Sequence, residues 1–122
     1  MTEKSVYLFI SDPHLGPDYC DVKKLMKTFE SIPHKKLFIV GDLFDGKEVI
    51  PEEQQKIIDY IVKNRRKVIF IKGNHDPKEW VLVLKNLGVK VLKRCFFKIK
   101  NKKFCVIHGD KFDGFFVRLF RI

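Results

Sequence analysis

The sequence predicts an α/β domain built on a mostly parallel sheet. Three short, continuous apolar runs carry that prediction: Val6-Tyr7-Leu8-Phe9-Ile10, Leu37-Phe38-Ile39-Val40 and Val68-Ile69-Phe70-Ile71. Runs of this length and uniformity are what strands buried on both faces require. Segments of helical spacing separate them, so strand and helix alternate as in βαβ units. Each run also ends in a cluster of polar residues, where open α/β sheets bind their ligands.

After the first run and the loop of residues 12–17, residues 19–31 repeat apolar side chains at Val22, Leu25, Met26 and Phe29, with Asp18 placed to cap the helix. The second run stops at Gly41. Pro51-Glu52-Glu53 then reads as a helix start, with proline at the first position and acids in the first turn. Ile57, Ile58, Ile61 and Val62 give that helix its apolar stripe. The third run closes at Gly73. Residues 78–87 predict a third helix, with Trp80, Leu84 and Leu87 on its buried side and Gly88 as its stop. Residues 89–92 predict a short fourth strand. Residues 95–99 and 104–107 predict a hairpin turned at Lys100-Asn101-Lys102-Lys103.

The 122 residues fit one domain, residues 1–122. With 45% hydrophobic and 33% charged residues the chain reads as soluble and globular. No apolar run approaches the ~18–20 residues that cross a bilayer. Met1-Thr2-Glu3-Lys4 does not open a secretory signal, so a cytoplasmic protein is expected. Cys20, Cys95 and Cys105 are too few and too far apart for a disulfide framework or a cysteine zinc site, and the last two read as core residues. The net charge of +10 and pI near 9.6 attract anions, including nucleic acid and phosphorylated substrates. A lysine-rich solvated surface explains the same numbers, because the basic residues are spread out apart from Arg65-Arg66-Lys67 and the stretch from Lys98 to Lys103.

Four clusters carry chemistry. They are Asp12-Pro13-His14, Gly41-Asp42-Leu43-Phe44-Asp45, Gly73-Asn74-His75-Asp76 and His108-Gly109-Asp110, each after a predicted strand. Taken singly, each has a structural explanation as a turn, a cap or a buried histidine. Four at successive strand ends are not independent accidents. Carboxylate, amide and imidazole donors gathered at one sheet edge suit two-metal hydrolysis, in which dications ~3.5–4 Å apart clamp phosphoryl oxygens. Mixed oxygen and nitrogen ligands favour Mn²⁺, Fe²⁺ or Zn²⁺ over Ca²⁺.

With these clusters, the sequence resembles the calcineurin-like metallophosphoesterase superfamily, whose signatures are D-x-H, G-D-x-x-D, G-N-H-[DE], a later H and a final G-H-x-H. The match runs from Asp12 to Asp110. The resemblance implies an αββα sandwich and a dinuclear centre. By it, Asp12 and His14 are ligands of one metal, Asp42 is the bridging carboxylate, and Asn74 and His108 are ligands of the other. His75 contacts the phosphate and protonates the leaving group, oriented by Asp76, with Asp45 in support. A hydroxide between the metals is the implied nucleophile.

His108-Gly109-Asp110-Lys111-Phe112-Asp113 is most similar to the branch containing UDP-2,3-diacylglucosamine pyrophosphohydrolases. Those enzymes carry arginine where this chain has His75, so the resemblance implies an HGD-type phosphoesterase acting on a phosphorylated small molecule or nucleotide and leaves the substrate open. The final G-H-x-H is absent. A truncated chain lacking part of the second sheet is the leading explanation; a second chain completing the site and a shortened relative with weak metal binding are the others. The aromatic stretch 112–122 fits the first turns of a helix awaiting its cover, a contact between copies, or a membrane interface. A nuclease of the same superfamily and an inactive binding module remain the alternative functions.

Overall fold

The computed structural model describes residues 7–11, 13, 15, 21–44, 50–73, 76–108 and 115–120, with His108 and the last six described by backbone alone. Two sheets and three helices make up these residues. In chain order they are β1 (Tyr7–Ser11), α1 (Val22–Ser31), β2 (Lys36–Val40), α2 (Gln55–Lys63), β3 (Val68–Ile71), α3 (Lys78–Asn86), β4 (Lys90–Leu92), β5 (Arg94–Ile99), β6 (Lys102–His108) and β7 (Phe115–Phe120). β1 to β4 form a parallel sheet in sequence order, and β5, β6 and β7 form an antiparallel one.

The apolar runs are continuous because both faces of the parallel sheet are covered. Leu37, Ile39, Val68 and Phe70 turn to one side, where Val22, Phe29, Ile57, Ile61 and Leu84 of the helices meet them. The alternating residues Phe38, Val40, Ile69 and Ile71 turn to the other, against Val106 and the partly buried Cys95 and Phe97 of the second sheet. Phe38 stacks on Phe9 at 4.9 Å and lies 5.4 Å from Phe97, so aromatic rings join the two sheets. The layers are therefore helices, parallel sheet and antiparallel sheet. These are three of the four layers of the expected sandwich; a second helical layer is not among the described residues.

Several local expectations are corrected. Asp21, not Asp18, caps α1: its carboxylate accepts the Lys24 N–H at 3.0 Å, three residues on, as an N-cap must. Asp18 lies outside the described residues. Pro51 precedes a single 3-10 turn (Glu52–Gln54) that leads into α2. Leu87 is 46% exposed, while Val81 and Leu84 are the buried residues of α3, because the helix ends at Asn86 and Leu87 has left its register. The hairpin turns on two residues, Lys100 and Asn101, both left-handed at φ 48° and 66°, and β6 resumes at Lys102. That is the turn whose twist matches antiparallel strands. The tail contains a strand rather than a helix. Phe115–Phe120 pairs with β6 from His108↔Phe115 to Lys103↔Phe120, as a segment of aromatic and β-branched residues does beside an open edge. Cys95 and Cys105 carry free thiols, half-buried and buried, as expected of core residues. Among the described residues no helix is long and apolar enough to cross a membrane.

Gly88 stops α3 at φ +91°, where an added Cβ would lie 3.0 Å from Arg65 Cδ. Gly88→Ala should cost about 1–2 kcal/mol from the left-handed backbone alone. It also displaces a side chain whose Nη1 donates to the Val62 carbonyl. Thermal melting should show a fall of about 3–10 °C; an unchanged Tm contradicts the assigned backbone.

Candidate metal centre

The parallel register brings the ends of β1, β2 and β3 to one edge. Ser11 pairs with Val40 and Val40 with Ile71, so the residues that follow β1, β2 and β3 leave the sheet side by side. β5 begins at that same edge, since only Lys93 separates it from the end of β4. The hairpin runs away and returns, with Ile107 paired to Arg94, so the backbone of His108 comes back to the edge it left. Ser11, Val40, Ile71 and the backbone of His108 are thereby brought to one end of the described residues.

Asp42 is the candidate ligand whose side chain is described. It follows Gly41 (φ 67°) and is itself left-handed at φ 48°. Two successive left-handed residues turn the chain sharply off the end of β2. Asp tolerates this region better than most residues, and a non-glycine residue held there is a pointer to function. Its Oδ1 is shut off from solvent. The apolar residues of the same motifs hold the loop down. Leu15, Leu43 and Phe44 are each at most 1% exposed, and Phe44 stacks on Trp80 of α3 at 4.9 Å. The Leu15 N–H donates to the Leu43 carbonyl at 2.7 Å, tying the loop after β1 to the loop after β2. Sequence reading gave these three residues no role, although apolar residues inside otherwise polar loops were the available signal.

Asp76 ties the third loop to the second. Its Oδ2 accepts the N–H groups of Gly73 at 2.8 Å and Asp42 at 3.1 Å, and its Oδ1 accepts the Phe44 N–H at 3.2 Å. The residue is 7% exposed. Burial pushes its carboxyl above the usual carboxylate range and the nearby Asp42 charge adds to this, while the three N–H groups pull the other way. The sequence expectation gave Asp76 the orientation of His75. The structure gives it a further task, as the clamp that sets two loops at a fixed spacing.

Asp12, His14, Asp45, Asn74 and His75 lie outside the described residues, and His108 is placed by backbone alone. Among the described residues no three His, Cys, Asp or Glu side chains gather closely enough to hold an ion. Among the described residues Asp42 is the candidate donor, and a carboxylate suits a divalent cation. Asp42 adds to the charge felt by Asp76 at the edge where the loops meet, and a cation held there would offset it. A cavity of about 340 Å³ opens beside this edge, lined among others by Ser11, Pro13, Asp21 and Lys24.

The profile of the calcineurin-like phosphoesterase family matches residues 6–120. The chain belongs to the calcineurin-like phosphoesterase family. Similar members include the UDP-2,3-diacylglucosamine hydrolases of Aliivibrio fischeri (31% identical over 115 residues, covering 84% of this chain and 47% of the relative) and Wigglesworthia glossinidia brevipalpis (29% over 113 residues, 84% and 46%). The DNA double-strand break repair protein Mre11 of Nanoarchaeum equitans is 36% identical over 87 residues, covering 60% of this chain and 24% of that protein. YfcE, a phosphoesterase from E. coli, shares the fold with a TM-score of 0.63 at 21% identity, over 84% of this chain and 57% of its own. This phosphoesterase-family chain thus spans about half the length of the UDP-2,3-diacylglucosamine hydrolases it matches.

Proposed function

We propose that the protein is a metal-dependent phosphoesterase that hydrolyses phosphate esters or pyrophosphate bonds. One observation carries the reading: Asp42, left-handed and partly desolvated, is fixed by the Asp76 clamp at the edge where the loops after β1, β2 and β3 leave the sheet. Family membership supports it. Asp12, His14, Asp42, Asn74 and His108 would hold two divalent ions, with Mn²⁺ the first choice and Fe²⁺ or Zn²⁺ compatible with the same donors. When bound, such ions supply Lewis-acid polarisation of the phosphoryl group and a nucleophile at neutral pH. The chain's own contribution is positional. Asp42 contributes the charge that lets two dications sit together, His75 presents a proton to the leaving oxygen, and Asp76 keeps the second and third loops in register.

The substrate on this reading is a phosphorylated small molecule or nucleotide, encountered in the cytoplasm, and residues 1–122 act as one domain. The similarity to UDP-2,3-diacylglucosamine hydrolases favours a pyrophosphate bond. The similarity to Mre11 favours a second reading, cleavage of a nucleic-acid phosphodiester. A copy or second chain seated on the 112–122 tail is the partner this reading allows.

Hydrolysis of p-nitrophenyl phosphate and of its bis-ester tests the proposal. Turnover should require added divalent ion, vanish in EDTA and return with Mn²⁺. A folded chain that turns over neither ester with Mn²⁺, Fe²⁺ or Zn²⁺, or does so equally well in EDTA, refutes it. Ion-dependent shortening of single-stranded DNA, without action on the monoester, selects the nuclease.

A further inference from the structure

Arg65-Arg66-Lys67 is a basic cluster that the proposed chemistry leaves unused. The fold places it in a row. α1, α2 and α3 each return to the start of the next parallel strand. The turns of residues 32–36, 64–67 and 87–90 therefore lie side by side, at the end of the sheet opposite the candidate metal centre. The Leu37 N–H donates to the Lys67 carbonyl at 2.9 Å, which joins the first turn to the second. Arg65 runs past Gly88, its Cδ 3.0 Å from where a Cβ would stand, which joins the second to the third. These turns carry Lys35, Lys36, Arg65, Arg66, Lys67 and Lys90, and no aspartate or glutamate. Lys36 and Lys67 are half-buried and the other four are exposed. Glu30, in the last turn of α1, bears on Tyr60, whose hydroxyl is pushed up by burial and then by this charge.

Three of the lysines face the same way. Leu37, Val68, Val89 and Val91 turn to the helices, so by strand alternation Lys36, Lys67 and Lys90 turn to the second sheet. Leu37 pairs with Val68, which sets Lys36 beside Lys67, and Lys90 pairs with Ile69 of the same strand. Cys95 of the second sheet feels two of them: burial pushes its thiol up, while the Lys90 and Lys36 charges pull it down. Like charges set side by side weaken a sheet. A stability rule broken with no acid in the turns points to a ligand that supplies the missing charge.

We propose that this end of the parallel sheet binds the phosphate backbone of duplex DNA without regard to sequence. Neighbouring strands lie about 5 Å apart, so β2 to β4 span about 10 Å. Over that length a duplex carries about six charges. Six cations with no acid among them match that line in sign and density. Double-stranded RNA is read across about 16 base pairs, a longer span than three turns offer. A bilayer fits less well. The exposed apolar residues at this end, Ile32 and Leu87, belong to the first and third turns with the second between them, and do not make the continuous apolar face that enters a headgroup layer. The row lies at the far end from Asp42, so DNA held there anchors the chain instead of entering the metal centre. Binding therefore does not rest on the proposed hydrolysis.

Fluorescence anisotropy of a short labelled DNA duplex with the full chain, in EDTA to prevent cleavage, tests this. Lys35→Gln with Arg66→Gln, both exposed, should lower the slope of log K against log salt by about 1–2. Adding Lys36→Gln and Lys67→Gln should lower it by about 1–2 more, and this chain should melt at or above wild type, because two neighbouring like charges are gone. Lys23→Gln with Lys56→Gln, exposed in the first turns of α1 and α2 at the opposite end, should leave the slope unchanged. An equal change from that pair means general charge attraction and overturns the assignment. So do an unaltered slope in the Lys35→Gln, Arg66→Gln chain, tighter binding of duplex RNA than of DNA, and binding to phosphatidylserine vesicles without binding to the duplex.

Discussion

Asp42→Asn should abolish metal-dependent phosphoesterase activity, lowering kcat/KM by at least about a hundredfold, while leaving the fold intact. Residues that merely support metal ligands cost about 10–100-fold when changed, and a carboxylate shared between two ions should cost no less. The substitution is chosen for its backbone. Asp42 sits at φ 48°, where asparagine is as tolerant as aspartate and alanine is strained. Its N–H bond to Asp76 does not involve the side chain and survives. Without metal, the variant should melt with the wild type or slightly above it, since removing the Asp42 charge relieves the neighbouring carboxylate. With Mn²⁺, the wild type should gain stability by mass action and the variant should gain much less. Full Mn²⁺-dependent turnover in the variant would show that the metals are held elsewhere.

How far the sequence could be read follows from which interactions are local. β2 and β3 were legible because Leu37, Phe38, Ile39 and Val40, and then Val68 to Ile71, are apolar at every position, and burial on both faces is the arrangement that tolerates this. The candidate ligands were legible as chemistry, because few structures need carboxylate, amide and imidazole in clusters that follow β1, β2, β3 and β6. The strand at Phe115–Phe120 was not legible. Its aromatic run fits a helix or a strand equally well until the open edge of β6 decides between them. Capping by Asp21 instead of Asp18 turned on a shift of three residues, which periodicity resolves poorly. Asp76 is the instructive case. Its motif put it just after the third strand, yet its bonds span 34 and 32 residues to Asp42 and Phe44. A spacing rule cannot announce a bond of that kind, because it exists only once two loops are side by side.

That clamp gives the largest expected effect on stability. Asp76→Ala removes the acceptor of three backbone N–H groups, those of Gly73, Asp42 and Phe44. Gly73 and Phe44 are buried, Phe44 at 1% exposure, so water does not readily replace the lost carboxylate. Leaving one buried donor unsatisfied costs about 1–3 kcal/mol. Three in one place, two of them on the loop that presents Asp42, should cost about 3–5 kcal/mol together and lower Tm by roughly 10–20 °C. Asp76→Asn should fall between. Its single amide oxygen can keep the pair of bonds from Gly73 and Asp42, but its NH₂ then faces the Phe44 N–H, donor against donor. The ordering of melting temperatures, wild type above asparagine above alanine, separates a clamp from a residue that only orients His75; that role predicts lost activity with little change in Tm. Asp76→Ala melting within about 2 °C of wild type would mean that the two loops hold their spacing by apolar anchoring alone, through Leu43, Phe44 and Trp80.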